Sequence, residues 1–265
     1  MAKPPAAEVL FPELSSFRSE DYSRIGTSRP VLMIAMTART GSSHLCSGLS
    51  SVVPAGRPTE IFNARDTLVW EKKRRGVGTF SDLLADYVAE SEDIVVFKTS
   101  WVDFEYFKDH VFDLFPNLRI IYLNRLDVEA QAVSLFKAVV SGLWHDSPLI
   151  AKPKEALLPD ELEKKFDLVR VCGMINALSK EKASWENYFF ENEVQPARVN
   201  YESFTQDLKR ALSQIVNYLG YEDVDLSRVK SEFSVVSDGI NDRWLEKVRN
   251  YRNGNFYSRY MRGEL

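Results

Sequence analysis

Between Thr37 and His44 the chain gathers Arg39, Thr40, Gly41, Ser42 and Ser43 into one short turn. Those residue types suit a phosphate or sulfate group. Arg39 brings a fixed positive charge, the hydroxyls of Thr40, Ser42 and Ser43 bring hydrogen bonds, and Gly41 lets the backbone approach closely. A helix starting there adds its first N–H groups and the positive end of its dipole. The turn is not a nucleoside-triphosphatase loop, because Ser42 and not a lysine follows the glycine, and the cation stands two residues before it. The plainer reading is a strand–turn–helix corner whose Ser and Thr cap the helix.

A second constellation is Arg125, Asp127, Gln131 and Ser134. Asp127 is a natural N-cap, and Asp127, Gln131, Ser134 and Ala138 then share one small, polar helix face. Val128, Ala132, Leu135 and Val139 share another, expected to be the packing face. The plainer reading makes Arg125 a surface arginine paired with Asp127.

Both constellations need strands to carry them. The apolar run 31–36 leads into the first turn, and the run 118–123 leads into the second. A third run, 94–98, ends in Lys98, and a short strand is expected over 197–200. Continuous apolar runs of this length read as buried parallel strands. Helical spacing is expected over 80–90, 104–115, 128–140, 160–190 and 207–219. Strands alternating with helices give an α/β fold: a single P-loop-like domain with a mostly parallel sheet flanked by helices. In such sheets ligands bind beyond the carboxyl ends of the strands, the edge that carries Arg39 and Arg125. Residues 1–28 read as a loose arm and 29–265 as the domain. Within it, 142–190 is a loop and helical insertion and 243–265 a basic tail. From Arg243 to Arg262 that tail holds six Lys or Arg and one acid.

The formal net charge of −4 argues against nucleic acid as a partner. No apolar run approaches the length of a transmembrane span, and 1–20 lacks a signal-peptide core, so a cytoplasmic protein is expected. Cys46 and Cys172 are expected to be reduced, buried thiols, and neither has ligand-spaced neighbours, so no metal is expected. The oligomeric state is not legible, and a homodimer stays open.

Several ordered pieces together resemble a known family. They are Thr37-Ala-Arg-Thr-Gly-Ser-Ser-His-Leu45, Gly56-Arg-Pro-Thr-Glu-Ile-Phe62, Val96-Phe-Lys98 with Trp101, and Arg125-x-Asp-x-x-x-Gln-Ala-Val-Ser134, which runs on to Trp144. The chain resembles the bacterial sulfotransferases of the trehalose 2-sulfotransferase type, firmly over about 30–145 and loosely beyond. The resemblance implies 3′-phosphoadenosine 5′-phosphosulfate as co-substrate and a hydroxyl on a carbohydrate or glycolipid precursor as acceptor. It implies that the loop of Arg39, Thr40, Gly41, Ser42, Ser43 and His44 holds the 5′-phosphosulfate, and that Arg125 and Ser134 hold the 3′-phosphate. Glu60 stands at the family's general-base position.

Lys98, at the end of its strand, could reach the bridging oxygen of the donor, with Arg39 as a second catalytic cation; a lysine turned to solvent is the alternative. His44 has packing as its competing role. Phe62, Trp101 and Trp144 are candidates to line an acceptor pocket, and His145 is a second candidate base. Arg57 departs from the trehalose enzyme, where an acid stands, and would favour an acceptor bearing an anionic group. Two other classes compete: a sensor that binds 3′-phosphoadenosine 5′-phosphate without catalysis, and a small-molecule kinase. Glu60 and Lys98 speak against the first, the missing Walker lysine against the second.

Overall fold

The central strand, β1 (Val31–Met36), is buried at every residue, because both of its faces are covered. Val31, Met33 and Ala35 enter one apolar cluster, and Leu32, Ile34 and Met36 enter another. That alternation is the period of two expected of a strand between two helical layers. The structure, a computed structural model, describes residues 6–16, 29–109, 111–144, 158–233 and 239–261.

β1 pairs in parallel with β2 (Val95–Ser100) and β3 (Leu118–Asn124), and β3 pairs in parallel with β4 (Ala197–Asn200). The order is β2-β1-β3-β4, with Val31 opposite both Val95 and Leu118 and Ile121 opposite Ala197. All four strands therefore end at the same edge. The α/β class with a parallel sheet flanked by helices is as expected.

The first cluster lies under α1 (Ala6–Leu10), α3 (Thr67–Arg75), α4 (Phe80–Ala89), α5 (Trp101–Phe104) and α6 (Val111–Leu114). The second lies under α2 (Ser42–Ser50) and α11 (Leu208–Tyr218), with the short α10 (Tyr201–Phe204) leading into it. A third is built by α7 (Val128–Ser141), α8 (Pro159–Glu163), the N-terminal half of α9 (Leu168–Glu191) and α12 (Gly239–Met261). Side-chain caps start α4 at Thr79, α7 at Asp127, α9 at Asp167 and α11 at Asp207.

Several expectations are corrected. Part of the supposed loose arm is docked: Phe11 and Leu14 are buried in the first cluster, since their apolar area has nowhere better to go. No continuous helix spans 104–115: α5 ends at Phe104 and α6 covers only Val111–Leu114. Phe107 N–H bonds Phe104 C=O at 2.7 Å, a tight turn that brings both rings into the core. The helix expected over 160–190 breaks before Asp167, which caps a fresh start. On α7 the buried apolar residues are Ala132, Val133, Phe136 and Ala138, while Val139 is exposed. Of the expected packing face, Ala132 is buried and Val128 and Leu135 pack against the third cluster; the helix packs against α9 and α12, whose Trp244 meets the ring of Phe136, and this widens the inward face to Val133 and Phe136. Both cysteines are free, but only Cys46 is buried and Cys172 is half-buried.

The basic tail is helical as α12, docked through Ile240, Trp244 and Val248. Arg249 and Arg252 do not stand free. Arg249 pairs with Asp127 at 2.6 Å and Glu129 at 3.3 Å, and Arg252 pairs with Glu129.

Candidate active site

The loop after β1 turns back sharply at two residues of positive φ. Gly41 has φ 78°, and a Cβ there would come within 2.8 Å of the Phe204 ring and 3.0 Å of Tyr201, so only glycine fits. Arg39 adopts φ 65°, a left-handed conformation that costs a non-glycine residue energy and is typical of functional loops. The capping expected of Ser and Thr is not made. The N-cap of α2 is Gly41, which has no side chain to cap with, and Thr40, fully buried, donates to Thr37 C=O at 3.0 Å instead. Among the described residues no side-chain acceptor takes the first N–H groups of α2.

Two groups of side chains converge on this loop. In the first, Lys98 projects from β2, nearly buried, and donates to Ser43 Oγ at 2.8 Å. Its ammonium is also 3.4 Å from Glu60. Glu60 reaches that place because Thr59 lies beside β2 in a parallel bridge opposite Phe97, with Lys98 N–H bonding Thr59 C=O at 3.0 Å. Asn63 Nδ2 fixes the other side of the Glu60 carboxylate at 3.0 Å.

In the second group, Arg39 Nε donates to Ser134 Oγ at 3.1 Å, and its Nη1 donates to the carbonyl of Trp144. Arg125 lies over the Tyr201 ring at 4.3 Å and donates to Arg39 C=O at 3.3 Å. Burial and the nearby charge of Arg125 both lower the pKa of Arg39. Among the described residues no carboxylate pairs with Arg39 or Arg125. Gln131, fully buried, donates to Thr37 Oγ1 at 2.7 Å and to Ala38 C=O at 2.6 Å, tying α7 to the loop. Arg125 Nε and Gln131 Oε1 are buried with no hydrogen-bond partner. Leaving such groups unpaired is costly, and Arg125 Nε is a donor within a pair of arginines that no carboxylate neutralises among the described residues. That is a setting that fits an anionic ligand.

The remaining expected site residues are not gathered in the same way. His44 Nδ1 donates to Phe233 C=O at 2.7 Å, and the ring stacks on Phe204, which is the packing role. Phe62 is a correction: it is fully buried, stacked on Phe107 and edge-on to Phe97, so it cannot line an open pocket. Trp101 is half-buried and meets Trp185 edge-on at 5.3 Å within the same aromatic layer. Trp144 is exposed, and its carbonyl serves Arg39. Arg57 is exposed over the Trp70 ring at 4.9 Å, with no acid paired to it among the described residues. His145 lies outside the described residues.

Four further residues at the site carry no mark in the sequence reading. Tyr201 sits directly after β4, where the rule that found Arg39 and Arg125 beyond β1 and β3 applies equally. Lys182 of α9 donates to Arg125 C=O. Asp103 and Glu181 lie in the same electrostatic field as Glu60, Arg65 and Asp66. Burial pushes the Glu181 carboxyl up to about 7, Asp103 adds to this and Arg65 opposes it. Burial likewise raises Asp103, against a hydrogen bond from Ser100 Oγ at 2.7 Å. No spacing in the sequence marks a mid-helix glutamate as part of such a group. Among the described residues no cluster of His, Cys, Asp and Glu stands ready to hold a metal ion, and no helix is long and apolar enough to cross a membrane.

The profile of the Stf0 sulphotransferase family matches residues 102–252, a span that holds Arg125, Ser134, Tyr201 and most of α12. Trehalose 2-sulfotransferase of Mycolicibacterium smegmatis is 25% identical over 130 residues, 49% of this chain and 45% of the relative. The match thus spans under half the length of that relative. Among solved structures, a sulfotransferase from Alicyclobacillus acidocaldarius aligns with TM-score 0.42 and 13% identity, over 84% of this chain and 92% of that one. A mouse sulfotransferase complexed with PAP aligns with TM-score 0.41 and 14% identity, over 92% and 70%. With the family profile running through more than half of its length, the chain belongs to the Stf0 sulphotransferase family.

Proposed function

We propose that the protein transfers a sulfuryl group from 3′-phosphoadenosine 5′-phosphosulfate to a hydroxyl of a carbohydrate or glycolipid precursor. The observation that carries this reading is the position of Lys98. Its ammonium touches the loop hydroxyl of Ser43 at 2.8 Å and the Glu60 carboxylate at 3.4 Å. One cation thus stands between an anion-binding loop and a candidate base, at the edge where all strands end.

Sulfuryl transfer to a hydroxyl needs a base for the acceptor proton and positive charge for the leaving oxygen. Glu60 takes the proton as the new O–S bond forms. The bond from sulfur to the bridging oxygen breaks, and its electron pair stays on the 5′-phosphate, where Lys98 and the loop neutralise it. Arg39, Thr40, Gly41, Ser42 and Ser43 hold the phosphosulfate. Arg125 and Ser134 hold the 3′-phosphate, with the unpaired Arg125 Nε as a free donor. A carbohydrate acceptor is supported by the name of the curated relative, a trehalose sulfotransferase. Arg57 extends this to acceptors that carry an anionic group. A metal-free reaction and a cytoplasmic setting belong to the same reading.

The test is donor-dependent sulfation of trehalose and of a bacterial polar-metabolite and glycolipid extract, read by mass spectrometry. A species gaining one SO3 only when donor and protein are both present is expected. Release of 3′-phosphoadenosine 5′-phosphate with no sulfated product in either acceptor pool would contradict it.

A further inference from the structure

The placement of Glu60 depends on a short segment that is barely a strand. Only one backbone rung at hydrogen-bond distance joins Thr59 to β2, from Lys98 N–H to Thr59 C=O at 3.0 Å. In a parallel ladder the companion rung would run from Thr59 N–H to Val96 C=O, since Thr59 lies opposite Phe97. A side chain stands in that gap. Thr59 N–H donates to the hydroxyl of Tyr87 at 3.1 Å, and that hydroxyl donates to Val96 C=O at 2.7 Å.

We propose that Tyr87 is a positioning residue for Glu60: its hydroxyl replaces a missing ladder bond and so fixes the segment that carries the carboxylate to Lys98. The proposal rests on the reading of Glu60 as the base. Tyr87 belongs to α4 and is buried, so its ring cannot swing away without opening the first cluster. Arg75 covers the ring at 5.7 Å and is itself held by Glu71 at 2.9 Å and Glu90 at 2.6 Å. Burial also raises the Tyr87 phenol above its ordinary range, so it keeps its proton and its bond to Val96 at any working pH. The approach to Thr59 is fixed as well. Gly56 has φ 61°, and a Cβ there would meet Ser91 Oγ at 2.9 Å. With both sides held, the phenol hydroxyl sets how far Thr59 and Glu60 stand from β2. Removing it invites Thr59 to collapse onto Val96 and draws Glu60 out of register with Lys98.

Two measurements on the full chain test this. The first needs no acceptor: amide hydrogen exchange at Thr59. Protection in the native protein that falls at least tenfold in Tyr87→Phe is expected. A Thr59 amide that exchanges as an open loop in the native protein overturns the proposal, whether or not the variant folds. The second is turnover of 3′-phosphoadenosine 5′-phosphosulfate with the extract described above as acceptor pool. A displacement near the chemistry can cost on the order of a hundredfold, so Tyr87→Phe is expected to lower kcat by roughly ten- to hundredfold. Affinity for 3′-phosphoadenosine 5′-phosphate should stay within about twofold of native, as the donor end is untouched. In a Glu60→Gln background the same change should add no further loss, because Tyr87 acts through Glu60. Native kcat in Tyr87→Phe, or an equal loss in both backgrounds, overturns the positioning role while leaving Glu60 as base. Full turnover in Glu60→Gln alone would strike down the reading of Glu60, and Tyr87's role through it.

Discussion

The two groups around the loop after β1 differ in how their charges are met. On the β2 side Lys98 and Glu60 neutralise one another at 3.4 Å, and Ser43 and Asn63 hold the remaining directions. On the β3 side Arg39 and Arg125 face each other with no carboxylate paired to either among the described residues, and Arg125 Nε is left unpaired there. On the β2 side a carboxylate and a cation stand together, as base and leaving-group partner need, whereas the two unneutralised arginines of the β3 side gain most from holding a fixed anion. On the proposed function the first side carries the chemistry and the second holds the 3′-phosphate. It follows that substitutions on the two sides should fail in different measurements.

The largest effect is expected at Glu60. Glu60→Gln keeps the size and loses the proton-accepting group, so turnover should fall by on the order of a hundred- to ten-thousandfold. Affinity for 3′-phosphoadenosine 5′-phosphate, read by calorimetry, should hardly change. A variant that weakens binding as much as turnover would erase the division of labour.

Arg125→Ala comes next and should behave in the opposite way. Losing a charge-assisted contact typically costs about 1.5–3 kcal/mol, roughly a ten- to hundredfold loss of affinity. The loss should appear with 3′-phosphoadenosine 5′-phosphate and be small with adenosine 5′-phosphosulfate, which lacks the 3′-phosphate. Equal losses for both nucleotides would mean that Arg125 contacts some other part of the ligand.

A smaller effect separates the two sides by pH. The β2 side has the acidic neighbourhood of Glu60, Asp103 and Glu181, and the Glu181 carboxyl is raised to about 7. An acid whose folded pKa is raised favours the folded state at low pH, and that contribution is lost as pH rises through the folded value. Glu181→Gln should therefore stabilise the protein at pH 8, on the order of 2 kcal/mol, with no gain below about pH 4.5. Thermal melts across that range check the sign. A gain that grows on acidification would show that Glu181 is stabilised as a carboxylate by a partner such as Arg65.

The sequence shows the binding side and the chemical side unequally. β1 is legible because six buried apolar residues can only be a strand covered on both faces, and α7 and α11 because Asp127 and Asp207 cap them where the spacing begins. From those elements follows the edge on which Arg39, Lys98 and Arg125 stand. The break between α8 and α9, the split of α5 from α6 and the docking of residues 6–16 depend on contacts far apart in sequence, which no local spacing records. The full width of the inward face of α7 escapes local spacing for the same reason, since Phe136 turns in to meet Trp244 on α12 while Val139 is left exposed. Phe62 shows the limit of a motif: its neighbour Glu60 faces Lys98, but the aromatic ring turns into the core. Tyr87 lies even further from view, because its hydroxyl stands in for a backbone bond that only the folded sheet reveals.

That one ligand with two anionic ends spans both sides is the claim everything else leans on, and thermal unfolding with two nucleotides tests it most directly. At about a hundred times its dissociation constant, 3′-phosphoadenosine 5′-phosphate without magnesium should stabilise the protein by about 2.7 kcal/mol. ATP with magnesium, which lacks a 3′-phosphate, should protect much less at the same concentration. Stronger protection by ATP with magnesium would contradict the account.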